Sequence, residues 1–118
     1  MGARGEKTIQ VNGRDVTILF TNRALMQAER QLNKGIIEIM NGFSTGGRIS
    51  DLVALLRTGM EAARLDARAG GHPVSNDDAL QVIDEIGFTA AITPVMEAVA
   101  EVITYQTEES SQNGSDPN

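Results

Sequence analysis

The sequence contains no cysteine and no tryptophan, and its aromatic residues are limited to three phenylalanines and one tyrosine. Without cysteine the chain has no disulfide, no thiolate metal ligand and no cysteine nucleophile. Because rings are scarce, the core must be built from Ile, Leu, Val, Ala and Met side chains. The chain also lacks an apolar leader and any run of the roughly 18 to 20 apolar residues that cross a bilayer. We therefore expect a cytoplasmic protein with no membrane partner.

Groups that carry out catalysis are also few. His72, the one histidine, lies between Gly71 and Pro73 in a predicted loop, where a solvated side chain is the favoured interpretation over a catalytic one. Asp77 and Asp78 suit helix capping better than metal binding, since the spacing of a calcium loop is absent. The sequence predicts no enzyme, no catalytic or metal-binding residue and no cofactor.

The charge balance disfavours nucleic acid as a binding partner. Sixteen acidic residues against ten basic ones give a net charge of −6, which repels a polyanion unless the basic groups cluster. We expect protein partners instead.

Two alternating stretches around Asn12-Gly13 predict an N-terminal β-hairpin over residues 7–20. Asn-Gly supplies the two positive-φ positions of a type I′ turn, which would place Ile9 opposite Val16. Two strands alone are marginal in water, so one face must rest on helices or pair with another chain.

After Thr21, a candidate N-cap, apolar residues recur at three- and four-residue steps and predict helices. The expected helices cover about 22–33, 35–42, 50–69, 76–86 and 88–105. Ser50 is a candidate cap for the third, and Ser75 with Asp78 resembles a capping box for the fourth. Pro94 leaves two starts open for the last helix, at Phe88 with a kink or at Thr93 with Pro94 in the first turn, and the second is preferred.

These elements predict a mostly α fold with a small N-terminal β-hairpin, an α+β class in which about four to five helices form a compact bundle. We expect residues 1–6 to be a flexible leader, 7–105 a single globular domain and 106–118 a disordered polar tail.

The third predicted helix carries the candidate interaction residues. Arg57, Glu61, Arg64 and Arg68 are spaced to share one face, either as an ordinary solvated face or as a docking stripe for an acidic partner. Gly59 costs about 1 kcal/mol relative to alanine inside a helix. We therefore assign it as a candidate helix-packing contact.

The order of hairpin, Thr21 to Leu32 and Asp51 to Met60 resembles the tail assembly chaperones of tailed phages and gene transfer agents. In that family a hairpin leads to a helix of the pattern aL..aE..L, a loop and a helix of the pattern l..LL..G(L/M). Leu25, Leu32, Leu55 and Leu56 match its apolar positions, Glu29 its acidic position and Gly59 its helix glycine.

The resemblance implies a non-catalytic protein that binds the tape measure protein and the tail tube protein during tail assembly. It implies a location in the host cell cytoplasm and absence from the mature virion. Members of this family commonly make a second, longer product by programmed ribosomal frameshifting. Homo-oligomers are compatible with it.

Two other classes remain open. A structural virion subunit of the tail or of the head-tail connector would use its hairpin to add strands to neighbours in a ring. A helical DNA-binding regulator would use the arginine-bearing helix, but the net charge argues against it.

Overall fold

The protein begins with an antiparallel hairpin of two strands, β1 (Arg4–Val11) and β2 (Arg14–Thr21). This computed structural model describes residues 4–115, with the side chains described from 4 to 104. The turn has φ 50° at Asn12 and 84° at Gly13, as a type I′ turn requires. Ile9 faces Val16 in the register. The predicted hairpin and its pairing are therefore confirmed.

Five helices follow the hairpin: α1 (Asn22–Leu32), α2 (Ile36–Ser44), α3 (Ile49–Asp66), α4 (Asn76–Ile86) and α5 (Phe88–Ser115). The mostly α architecture with a small N-terminal hairpin is confirmed. The inner face of the hairpin rests on helices, because α3 packs against β2 and α5 against β1. Five hairpin side chains are buried there: Ile9, Val11, Val16, Ile18 and Phe20.

Local capping signals fix several helix starts. The Thr21 hydroxyl accepts a hydrogen bond from the backbone N–H of Ala24 at 3.2 Å. Ser75 and Asp78 form a complete capping box at the start of α4. Ser50, in contrast, does not cap α3: that helix starts at Ile49, and its N-cap Arg48 makes no side-chain cap bond.

The first strand starts earlier than the sequence analysis placed it. Residues 4 to 6, expected within a flexible leader, belong to β1. Gly5 is buried against the backbone of Ala98 in α5, and Lys7 pairs with Glu101 at 2.8 Å. These contacts with α5 hold the start of the strand in place.

The preferred start of the last helix at Thr93 is wrong. The helix α5 begins at Phe88, with Pro94 inside it, and the Ala91 N–H bonds the Gly87 carbonyl at 3.1 Å. The Thr93 hydroxyl donates back to the Thr89 carbonyl at 3.1 Å, as an interior residue does. A proline here leaves the carbonyl four residues earlier without its helical donor. That carbonyl belongs to the exposed Ala90, where solvent can bond it.

The helix α5 continues past residue 105 into the segment predicted as a disordered tail at 106–118. The side chains of that segment and its last three residues lie outside the described part of the chain, so the nature of the tail stays a prediction. Among residues 4–115, no single helix is long and apolar enough to cross a membrane. Only α4 and the α5 portion to Thr104 reach that composition together, as a pair bent by 118°.

Candidate functional site

The half-buried Glu61 and Arg64 form the most strongly bonded ion pair on α3. The Arg64 guanidinium donates two hydrogen bonds to the Glu61 carboxylate, at 2.9 and 2.8 Å. Each side chain keeps 19% of its exposure. The pair lies three residues apart on one helix face, as the spacing predicted.

This pair also fixes the connection from α3 to α4. The Glu61 carboxylate accepts the backbone N–H of Val74 at 2.9 Å, and Arg64 donates to the Ala69 carbonyl at 3.2 Å. The bonds from Arg64 and then Val74 lower the pKa of Glu61 to about 2, with a smaller contribution from the charge of Arg57. Two charged side chains of the candidate docking stripe therefore hold the chain's own loop.

The other two candidate residues lie elsewhere. Arg57 donates to Gln31 of α1 at 2.9 Å and to Thr58 at 3.3 Å. It makes no ion pair with Glu61 in the described part of the chain. Arg68 lies beyond the end of α3 with φ 55°. The four side chains do not form one continuous helical face, and their binding of a partner stays a prediction.

We predict that Glu61→Gln lowers the free energy of unfolding at neutral pH by about 1.5 kcal/mol, the lower end of the range for hydrogen bonds to charged groups. Because the folded state lowers the pKa of Glu61 from 4.5 to about 2, the carboxylate stabilises the fold fully above pH 4.5. This stabilisation is lost as the pH falls towards 2. Urea unfolding followed by far-UV circular dichroism across that range measures it.

The matched control for this prediction is Asp84→Asn, which removes an exposed carboxylate that forms no ion pair among residues 4–104. The free energy of unfolding of this variant should depend on pH in the same way as that of the parent chain. His72→Ala is a second control, expected within about 0.5 kcal/mol of the parent chain, as for an exposed site. If the free energy of unfolding of Glu61→Gln fell as steeply between pH 4.5 and 2 as that of the parent chain, the assigned role of Glu61 would be contradicted.

At Gly59 the close neighbour is a strand. A Cβ added to this residue would lie 2.8 Å from the Phe20 ring and 3.2 Å from the Ile18 Cβ, both on β2. The sequence analysis expected a second helix there. The glycine instead lets α3 lie directly against the buried face of the chain's own hairpin.

The remaining polar groups bond within the fold. His72 is exposed, with its Nδ1 2.9 Å from the Pro73 carbonyl oxygen. The Asp78 carboxylate accepts the Ser75 N–H at 2.9 Å, and hydrogen bonds with Ser75 lower its pKa. Within the described residues, no three His, Cys, Asp or Glu side chains are grouped to hold a metal ion. The absence of catalysis and of a cofactor stays a prediction.

The sequence analysis missed two structural contacts, one of them made by Glu29, which it had named only as the acidic position of the resemblance. The Glu29 carboxylate accepts the Ile36 N–H at 2.8 Å and so caps α2, whose N-cap Gly35 has no side chain to do this. Lys34 bonds the buried Asp51 of α3 at 3.0 Å. Both bonds span sequence separations larger than a helical turn, so helical spacing gave no signal for them.

Two shallow grooves run between β2 and α3. The first, about 340 Å³ in volume, is lined by residues of β2, α1 and α3, among them Leu19, Thr21, Ala62 and Leu65. The second, about 290 Å³, lies between Val16 and Thr17 of β2, α3 and the loop that reaches Val74. The outward side of β2 is thus flanked by helix. The outward residues of β1 are exposed, so this edge is bare among the described residues.

Comparison with known proteins gives one family. The family model described as phage tail tube protein, GTA-gp10, matches residues 4–104, which include the hairpin, α1 to α4 and much of α5. No curated protein and no solved structure matches the chain.

This match overturns two predictions. The sequence analysis assigned a tail assembly chaperone that is absent from the mature virion and confined to the host cell cytoplasm. The matching family is instead that of a tail tube protein, a structural component of the virion. The link to phage and gene transfer agent tails is correct, whereas the chaperone role and a tape measure protein as partner have no support in the match.

Proposed function

We propose, because the chain belongs to the phage tail tube protein, GTA-gp10 family, that it is a structural subunit of a phage or gene transfer agent tail. The observation that carries the proposal is the extent of the match, which takes in the whole hairpin and the helices packed on it. This is the structural virion subunit that the sequence analysis kept as its alternative. Tail tube subunits and other tail proteins are the proposed partners.

The distribution of polar groups supports a role in assembly. Two ion pairs join separate parts of the chain, Lys7 of β1 to Glu101 of α5 and Lys34 to Asp51 of α3. A third, between Glu61 and Arg64 within α3, holds the loop before α4 through the Val74 N–H. These charged groups bond within the subunit, which leaves recognition of neighbouring proteins to other surfaces. The bare edge of β1 is a surface of the kind through which proteins add strands to one another.

Deletion and complementation of the gene in the source genome test the proposal. We expect deletion to yield particles without complete tails, and the parent chain supplied in trans to restore them, as scored by electron microscopy. His72→Ala is the matched control and should complement fully, since its side chain bonds only a neighbouring carbonyl. Normal tails in the deletion strain would refute the proposal.

A further inference from the structure

Among the described residues, the outward edge of β1 presents main-chain groups with no strand partner. In a hairpin closed by a two-residue turn, the residues that flank the turn form a hydrogen-bonded pair, and such pairs alternate along the ladder. Here the pairs Val11 with Arg14 and Ile9 with Val16 bond across the hairpin. The N–H and C=O groups of the intervening β1 residues therefore point away from β2. These residues are Arg4, Glu6, Thr8 and Gln10, and all four are exposed.

The opposite edge of the hairpin differs. Leu19, an outward-pointing residue of β2, is only 3% exposed, and it lines a groove with Ala62 and Leu65 of α3. Thr17 and Thr21 are half-buried. The helix α5 packs under the inner face of β1, but the outward residues of β1 are exposed, whereas those of β2 next to α3 are mostly covered. Among the described residues, a strand of another molecule therefore meets less obstruction at β1 than at β2.

The edge of β1 lacks several of the features that usually protect a strand from pairing, and its charged outward residues are limited to Arg4 and Glu6. Eight residues run in one-to-one register with β2, with no bulge and no proline. Its one lysine, Lys7, lies on the inner face, and its ammonium is bound to Glu101 at 2.8 Å. The edge is therefore regular and can accept a strand of another molecule.

We propose that β1 pairs antiparallel with β1 of a second copy of this chain, about a two-fold axis at Thr8. In this register Thr8 faces Thr8 of the partner copy, Glu6 faces Gln10, and Lys7 faces Ile9, so no like charges lie opposite each other. Facing threonines favour a cross-strand interface, and the register avoids the repulsion of like charges that face each other. A two-fold contact uses the same bare edge in both copies and needs no access to β2.

The result is a continuous four-stranded sheet with the flanked β2 edges outermost. Pairing at Thr8 and at Glu6 with Gln10 forms two main-chain hydrogen bonds per pair. The net charge of −6 on each copy opposes the contact, so the dimer should tighten as salt screens that repulsion. This pairing is a property of the isolated chain and goes beyond its proposed place in a tail.

A single-cysteine experiment tests the pairing directly, since the chain has no cysteine of its own. In the paired sheet the two Thr8 Cα atoms lie about 5.5 Å apart, within disulfide range. Thr8→Cys should therefore form a disulfide-linked dimer under mild oxidation. Thr17→Cys is the matched control, because Thr17 faces Thr8 across the hairpin but points to the other edge. We expect about tenfold more linked dimer from Thr8→Cys at equal concentration, through the higher local thiol concentration.

A second variant tests the hydrogen bonds without a thiol. The Thr8 N–H points away from β2, so Thr8→Pro removes a donor needed only by the second copy, whereas Thr8→Val keeps it. Sedimentation equilibrium should show the parent chain and Thr8→Val as dimers, with a dissociation constant at least about tenfold higher for Thr8→Pro. Circular dichroism checks that each variant is folded. If Thr8→Pro unfolds, the proposed pairing is tested by the comparison of Thr8→Cys with Thr17→Cys alone.

Three results would overturn the proposal. The first is a parent chain that stays monomeric at every concentration and salt level. The second is equal or faster linking of Thr17→Cys. The third is linking only when Thr8→Cys and Thr17→Cys chains are mixed, which would indicate head-to-tail pairing of β1 with β2. None of these results bears on whether the chain is part of a tail, since all concern the chain in isolation.

Discussion

Replacement of Gly5 by valine is expected to lower the free energy of unfolding by about 3 kcal/mol, the upper part of the range for overpacking. A Cβ added to Gly5 would overlap the Ala98 carbonyl, with the carbonyl carbon only 2.7 Å away. Backbone atoms cannot turn aside as a side-chain end does, so β1 and α5 must separate. Urea unfolding followed by far-UV circular dichroism measures the loss.

The control for Gly5→Val is Gly42→Ala. Gly42 lies in α2 with nothing within 4 Å of an added Cβ. Alanine is favoured over glycine in a helix, so this variant should be stabilised by about 0.5 kcal/mol. If Gly5→Val were as stable as the parent chain, the close approach of Gly5 in β1 to Ala98 in α5 would be contradicted.

Gly59→Ala is expected to destabilise the protein by about 2 kcal/mol, although the same change at Gly42 stabilises it. The added methyl group would lie 2.8 and 2.9 Å from ring atoms of Phe20. That ring is fully buried and has little room to move. The overlap therefore outweighs the gain in helix propensity. The same urea titration provides the measurement.

A double-mutant cycle isolates the contact between Gly59 and Phe20. Phe20→Leu shortens the buried side chain and should itself be destabilising, but it frees space at the ring tip. Combined with Gly59→Ala, it should cost less than the sum of the two single changes. Additive effects would show that the loss at Gly59 does not come from Phe20.

Local sequence signals predicted much of this fold. The Asn12-Gly13 turn fixed the hairpin register, and side-chain caps marked the starts of α1 at Thr21 and α4 at Ser75. These signals act over a few residues, where backbone conformation and hydrogen bonding decide the outcome. They can therefore be read directly from the chain.

Features that depend on distant contacts could not be predicted in the same way. Gly5 looked like part of a loose leader because its neighbour Ala98 lies in the last helix. Pro94 suggested a helix start because proline suits the first turn of a helix. In the structure it lies inside α5, and the carbonyl that it leaves without a helical donor belongs to the exposed Ala90, a position that only the packed structure reveals. The docking stripe on α3 was proposed from spacing alone, whereas Glu61 and Arg64 turn out to hold the loop before α4.

The functional assignment met the same limit. The residues that suggested a chaperone were mostly apolar positions of α1 and α3, such as Leu25 and Leu55, which are buried in the core. Such positions are determined by how the helices pack, and proteins with different functions can have the same packing. The link to phage and gene transfer agent tails was correctly inferred from them, but the tail assembly chaperone assignment was wrong.

The most direct test of the proposed role is the copy number of this chain in purified, intact particles, determined by quantitative mass spectrometry against the other tail proteins. A structural tail subunit should remain through purification at a fixed number of copies per particle and be absent from tailless heads. Recovery of the chain only in the unassembled fraction, with none in finished tails, would contradict the account.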